Sequence, residues 1–251
     1  MNITVINPNT TASMTRLIGE SARYVAAADT TITAVNPDMG PASIESHYDE
    51  ALSVPGLLAE IARAQAAEAR ADGFVIACFG DPGLDAAREL ADGPVVGIAK
   101  AAMHAASFLG RGFSVVTTLG RTAGRAWELA ERYGMARFCR NVRACEIPVL
   151  ALEDPASAAR EAIVAESRRA VAEDGVDAIV LGCAGMADLA AQMTEAVGVP
   201  VVDGVAAATK TVEGLVAMGL RTSTRGEFAA PLPKAYTGLL AEFEIVKPDI
   251  C

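Results

Sequence analysis

The chain has 251 residues, 52% hydrophobic and 21% charged, with no low-complexity tract, which is the composition of a compact globular protein rather than a disordered or fibrous one. A net charge of -10 with no cluster of Lys and Arg excludes a nucleic-acid binder, because neutralising phosphates takes clustered cations. No apolar run approaches the roughly 20 residues that span a bilayer, and Met1 to Asn7 lacks the basic start and cleavage site of a signal peptide, so a cytoplasmic protein without a membrane partner is expected.

The chain opens with MNITVIN, an apolar strand that gives way through Pro8, Asn9 and Thr10 to a helix on which Met14, Leu17, Ile18 and Val25 keep helical spacing. Ser13 and Thr15 belong to that helix start rather than acting as nucleophiles. TITAVN, in the 30s, is a second strand, and residues 50–71 form an Ala-rich helix carrying Leu57, Leu58 and Ile61. His47 and Tyr48, just before it, are expected in a surface loop. The run FVIAC ends on Cys78, and Asp81-Pro82-Gly83 reads as the start of the next helix, with Asp81 as its cap and Pro82 just inside. In AKAAMHAASFLG, His104 is expected to be packed or half exposed. The strand FSVVTT leads to a helix near 122–133 closed by Gly134. VRACEI, residues 142–147, is a further strand, followed by a helix near 156–174 with Ile163, Val164 and Val171 on one face. IVLGC then ends on Cys183. Strands as continuously apolar as FVIAC and IVLGC suit parallel sheets covered on both sides.

The chain also repeats itself. The segment starting at Phe74 aligns with the one starting at Ile179, 105 residues later: each strand ends on a cysteine, a leucine follows six residues on (Leu84, Leu189), and a Pro-Val-Val triplet follows the helical stretch. ITVINPNTT resembles FSVVTTLGRT at a similar offset. The fold class expected is α/β, built as two similar pseudo-twofold-related α/β domains with parallel sheets and a cleft between them. The first domain would take residues 1–98 plus about 207–251, and the second 99–206.

Five cysteines (78, 139, 145, 183 and 251) form no CxxC pair, their number is odd, and only two histidines accompany them, so neither a disulfide framework nor a metal site is expected. Ligands of parallel α/β sheets bind outside the carboxyl ends of the strands, where Cys78 and Cys183 both fall. A lone cysteine at the end of a core strand is usually inert. Two at equivalent positions of a duplicated unit are harder to dismiss, and the helix start after each is expected to lower its thiol pKa. Cys139, Cys145 and Cys251 are assigned no role. Two thiols on opposite walls of a cleft suit racemisation without a cofactor: one removes a proton from one face of a carbon beside a carbonyl and the other delivers a proton to the opposite face. N–H groups of the loops Phe79-Gly80 and Ala184-Gly185 could stabilise the enolate oxygen. A carboxylate at Asp81, three residues past Cys78, could also raise that thiol's pKa, and the second copy has Met186 in its place.

The runs VINPNTT, GPASIESHYDEA, VIACFGDPGLDAARE, FSVVTTLGR, VLALED and IVLGCAGMADLA together resemble the hydantoin racemase family, including allantoin racemases, of the aspartate/glutamate racemase superfamily. The resemblance covers about residues 2–225. It implies a two-domain α/β fold with the active site between the domains, no cofactor, a 5-monosubstituted hydantoin as substrate, and Cys78 and Cys183 as the catalytic pair. It also implies that Asn7, Pro8, Asn9, Ser43, Phe79, Gly80, Thr117, Thr118, Ala184 and Gly185 hold the ring, and that the enzyme is a homo-oligomer. Ser46 stands where the family pattern leads one to expect glycine.

A racemase of aspartate or glutamate needs the same thiols but must also hold a zwitterion, and no basic residue is evident beside the cysteine loops. A single-cysteine malonate decarboxylase is disfavoured by the second cysteine. A binding module of periplasmic type shares the two-lobed shape but not the paired thiols, and no GxGxxG follows a strand to bind a dinucleotide.

Overall fold

The computed structural model describes residues 1–154 and 157–245, apart from the side chains at 153, 187–189 and 191. Cys251 and the side chain of Leu189 thus lie outside the described residues. Strands β1 (Asn2–Ile6), β2 (Thr31–Val35), β3 (Gly73–Ile76) and β4 (Val95–Gly97) form one sheet in the order β2-β1-β3-β4. Strands β5 (Phe113–Thr117), β6 (Cys139–Ala144), β7 (Ala178–Leu181) and β8 (Val201–Val202) form a second in the order β6-β5-β7-β8. Every pairing within the two sheets is parallel. The connections are α1 (Ala12–Val25), α2 (His47–Ala66), α3 (Leu84–Leu90), α4 (Ile98–Leu109), α5 (Ala123–Arg132), α6 (Ala159–Asp174), α7 (Ala190–Val197) and α8 (Gly204–Ala217). The duplication legible in the sequence is therefore a duplication of topology.

The apolar strands divide their side chains between one shared inner core and an outer core on each sheet because successive residues point to opposite faces. Ile3, Val5, Val75, Val115 and Val180 join Ile98, Met103, Val205 and Val212 in one core shared by both sheets. Their neighbours Ile6, Phe74 and Ile76 face outward onto Leu57, Ile61 and Leu84, while Val116, Ile179 and Leu181 face Ile163 and Met193. Each such aliphatic or aromatic side chain contributes about 1.5–3 kcal/mol on burial. The shared core is closed by an exchange of helices. Helix α4, which follows the last strand of the first sheet, packs on β7 of the second; α8, which follows the last strand of the second, packs on β3 and β4 of the first. The two helices also pack on each other, so closely at their starts that a Cβ on Gly204 would lie 2.9 Å from the Cβ of Ile98.

Three elements differ from their sequence-based limits. The strand expected at 142–147 runs from Cys139 to Ala144, because Glu146 takes a positive φ of 54° and its carboxylate accepts from the Gly120 N–H at 3.0 Å. The helix expected at 50–71 begins at His47, since the Ser46 hydroxyl accepts from the Asp49 N–H (3.2 Å) while the Asp49 carboxylate accepts from Ser46 Oγ (2.8 Å). That reciprocal cap also explains how serine serves at a position expected to be glycine. His47 and Tyr48 consequently open a helix instead of lying in a loop. The helix near 156–174 begins at Ala159 and ends on left-handed Gly175.

Candidate active site

In each sheet the central strands, β1 and β3 or β5 and β7, send their following segments to opposite sides, leaving a gap at their carboxyl ends. The residues in these gaps are Asn7 to Asn9 and Ala77-Cys78 in the first half, Thr117-Thr118 and Gly182-Cys183 in the second. The gaps face one another across a cleft of about 190 Å³. Buried polar side chains fix the first gap: Asn7 Nδ2 donates to Asn9 Oδ1 (2.8 Å) and Thr15 Oγ1 (3.0 Å), and Asn9 Oδ1 accepts from the Thr11 N–H (2.9 Å). Thr15 Oγ1 donates in turn to Asn36 (2.8 Å), so it is a buried brace inside α1. In the second gap Thr117 Oγ1 donates to the Gly182 carbonyl at 3.3 Å.

Cys78 and Cys183 both line this cleft, together with Asn7, Asn9, Phe79, Gly80, Thr117, Thr118 and Ala184. Three residues expected there do not. Pro8 is buried behind the loop. Ser43 does not line the cleft: the Thr10 N–H and Thr11 Oγ1 donate to the carbonyls of Pro41 and Ala42, and from that segment Ile44, Ser46 and His47 reach it. Gly185 lies under Cys183, with its N–H donated to the sulfur. The Gly80 N–H does the same for Cys78. These two donors thus serve the thiols.

The expectation of depressed thiol pKa values is corrected by the structure. Burial pushes Cys78 up to about 12 and Cys183 up to about 11, outweighing the hydrogen bond each sulfur receives. The helix that follows Cys78 begins only at Leu84, and Cys183 is followed by a short 3-10 turn, Ala184–Leu189, so neither sulfur sits at the mouth of an α-helix. Cys78 is raised further by Cys183, Glu50 and Asp81, whereas Glu45 alone adds to the burial effect at Cys183.

Charged residues at the cleft escaped the sequence reading, which found no basic group near the cysteine loops. Arg125 on α5 donates from Nη2 to the Gly80 carbonyl (3.0 Å) and pairs with Glu50 of α2 at 2.6 Å, so an ion pair joins the two halves beside Cys78. Arg121 also lines the cleft, exposed and without an ion pair among the described residues. A usable signal was present: Arg121 and Arg125 stand four apart just past the carboxyl end of a strand, facing the same site as the second cysteine.

Asp81 is also different from its expected role. It does not cap its own helix, whose N-cap is the left-handed Gly83. Its carboxylate caps α4 instead, accepting from the N–H groups of Ala99 and Lys100 (both 3.0 Å) and from Tyr133 Oη (2.7 Å). Burial raises this carboxyl to about 6. Gly97 makes the arrangement possible, because a Cβ there would fall 2.2 Å from the Asp81 carboxyl carbon. In the second half the residue aligned with Gly97 is Asp203, which caps α8 from its own N-cap position through Val205 (2.9 Å) and Ala206 (3.0 Å). His104 is half-buried as expected, with Nδ1 2.8 Å from the Lys100 carbonyl.

The family model described as Asp/Glu/Hydantoin racemase matches residues 3–212. The chain belongs to this family. It is a racemase, an enzyme of the isomerase class. It is 51% identical to a hydantoin racemase of Rhizobium meliloti over 95% of this chain and 98% of that one. It is 48% identical to a hydantoin racemase of Pseudomonas sp. (strain NS671), over 97% of each. Its fold matches the solved structure of the allantoin racemase from Klebsiella pneumoniae with a TM-score of 0.94 at 51% identity, covering 97% of this chain and 99% of that one.

Proposed function

We propose that this racemase inverts the ring stereocentre of 5-monosubstituted hydantoins, allantoin or amino-acid-derived, using Cys78 and Cys183 as its acid/base pair and no metal or organic cofactor. The observation that carries the reading is the placement of the two thiols at the ends of β3 and β7, on the walls of one cleft. One sulfur, as thiolate, takes the proton from the ring carbon; the electron pair moves into the neighbouring carbonyl as an enolate; the other sulfur, as thiol, returns a proton to the opposite face. Each turnover leaves the first sulfur as thiol and the second as thiolate, the state that accepts the other enantiomer, and turnover in the reverse direction or proton exchange with solvent restores the first. Because the two sulfurs repel as anions, a state with one thiolate and one thiol is favoured over a doubly ionised one. The names of the relatives at 51% and 48% identity support the substrate class.

The decisive measurement is loss of optical rotation over a panel of enantiopure hydantoins, allantoin among them. Racemisation of at least one, unaffected by a chelator, is expected. The exposed Arg121 at the cleft supports one competing reading, an amino-acid racemase for aspartate or glutamate. The same panel includes both amino acids, and turnover of these alone would replace the hydantoin reading. The proposal includes the division of the chain at 1–98 plus about 207–251 and 99–206, supported by the packing of α8 on the first sheet and α4 on the second. It also includes cytoplasmic residence and a homo-oligomeric state, the latter tested by sedimentation.

A further inference from the structure

We propose that Asp81 is a positioning residue for Cys78: its carboxylate ties the loop bearing that thiol to the start of α4 and to Tyr133, fixing the direction in which the sulfur faces the cleft. The inference rests on the reading of Cys78 as a proton-transfer group. Asp81 is only 2% exposed and holds φ at 46°, a left-handed conformation that a residue with a Cβ adopts at a cost. An ordinary helix cap needs no such strain, since Asp203 caps α8 from extended backbone with φ at -82°. The turn over residues 78–81 is closed by the Asp81 N–H donating to the Cys78 carbonyl at 2.9 Å, and what accompanies the strained conformation is a side chain that leaves this turn toward the start of α4 and Tyr133. Other groups of this turn are committed as well. The Gly80 N–H goes to the Cys78 sulfur, the Gly80 carbonyl accepts from Arg125, and the Asp81 carboxylate holds two N–H groups of α4 and the Tyr133 hydroxyl.

Two of these anchors, Arg125 and Tyr133, come from α5 and its end, which follow the first strand of the second sheet. The loop that carries Cys78 is thus held by the opposite half of the molecule. The Cys183 loop lacks this device. The equivalent backbone bond, from Met186 N–H to the Cys183 carbonyl at 3.2 Å, closes the turn there too, but the aligned residue Met186 is a buried apolar side chain and supplies no carboxylate anchor. Proton transfer to and from carbon depends steeply on alignment of donor and acceptor, so fixing one sulfur through a buried carboxylate acts on turnover through the thiol without touching the substrate.

A double variant, Asp81→Gly with Gly97→Asp, separates positioning from capping. Glycine at position 81 accepts the positive φ and vacates the space, and the carboxylate introduced at position 97 would cap α4 from the place that Asp203 occupies in the second half. Tyr133→Phe is the milder companion, removing one hydroxyl. The expected result for the double variant is a melting temperature near that of the wild type with kcat reduced roughly tenfold to a hundredfold and KM within about twofold, as misalignment of a reacting group produces. Tyr133→Phe shifts kcat in the same direction by less. Iodoacetamide labelling read by peptide mass gives an independent measure: the ratio of Cys78 to Cys183 labelling rates should change in both variants. A double variant with restored stability and wild-type kcat would make Asp81 a cap and nothing more, and an unchanged labelling ratio in folded Tyr133→Phe would overturn the proposal as well. If the wild type racemised no hydantoin, the substrate reading would fall, while the labelling ratio would still decide the role of Asp81.

Discussion

In both halves of this molecule the helix after the last strand has its first N–H groups satisfied by a buried carboxylate, yet the two carboxylates come from different places in the chain. Asp203 caps α8 from the adjacent position, whereas α4 begins after Gly97 and borrows Asp81 from sixteen residues upstream. A buried helix start must have its donors paired, because an unpaired buried N–H costs on the order of 1–3 kcal/mol. What the duplication preserves is that requirement, not the residue that meets it. The upstream carboxylate also fastens the Cys78 loop to α4 and Tyr133, whereas the Cys183 loop, closed by the same backbone bond, carries the apolar Met186 in that place. The halves match in topology and differ in how tightly each holds its thiol.

The largest test of this comparison exchanges each sulfur for oxygen. Cys78→Ser and Cys183→Ser should each reduce racemisation by roughly a thousandfold or more in both directions, since a serine hydroxyl is far harder to ionise and every turnover uses both groups. Exchange of the ring proton with solvent deuterium needs only one face. Followed by NMR for each pure enantiomer, with spontaneous exchange subtracted, it should survive in opposite enantiomers for the two variants. Near wild-type racemisation in either variant would break the two-thiol reading.

A smaller effect sharpens the difference between the thiols. Burial raises both thiols, and at Cys78 the neighbouring Cys183, Glu50 and Asp81 all add to the burial effect while at Cys183 Glu45 does, so Cys183 is expected to ionise before Cys78. In the free enzyme the thiolate fraction grows about tenfold per pH unit well below the raised pKa values, so kcat/KM is expected to rise with a slope near one between about pH 7 and 9. Iodoacetamide should label Cys183 ahead of Cys78 over the same interval. Labelling in the reverse order would overturn the expected difference between the thiols, and a flat profile would show that neither is held up by burial.

Much of this could be read in the sequence because the strands are continuous apolar runs and the repeat is long. FVIAC and IVLGC marked buried parallel strands, and their terminal cysteines fell at the carboxyl ends where the cleft lies. The misses share one cause, that a side chain's partner was remote. Asp81 looked like the cap of the nearest helix, but its carboxylate reaches α4, and only the fold brings Tyr133 to it. Arg125 and Glu50 are 75 residues apart and meet across the cleft. The thiol pKa values were misjudged because the helix-start argument counts nearby donors, whereas desolvation depends on everything packed around the sulfur.

The smallest expected effect comes from the second half, at Asp203. Asp203→Ala leaves the N–H groups of Val205 and Ala206 without their acceptor and removes the bond from Ser21 Oγ (3.0 Å). Loss of such a cap costs about 1–2 kcal/mol. The cap is local, since Asp203 stands twenty residues beyond Cys183 in the chain and its carboxylate serves the start of α8 and Ser21 of α1, so the damage should stay in stability. Urea denaturation should show a lowered midpoint at unchanged slope, while kcat and the labelling ratio of the two cysteines remain those of the wild type. Asp203→Asn should recover part of the loss, as its amide oxygen can accept one of the two bonds. A fall in kcat or altered labelling of Cys183 in a folded Asp203→Ala protein would mean that the second carboxylate also governs its thiol, and the contrast between the halves would no longer hold.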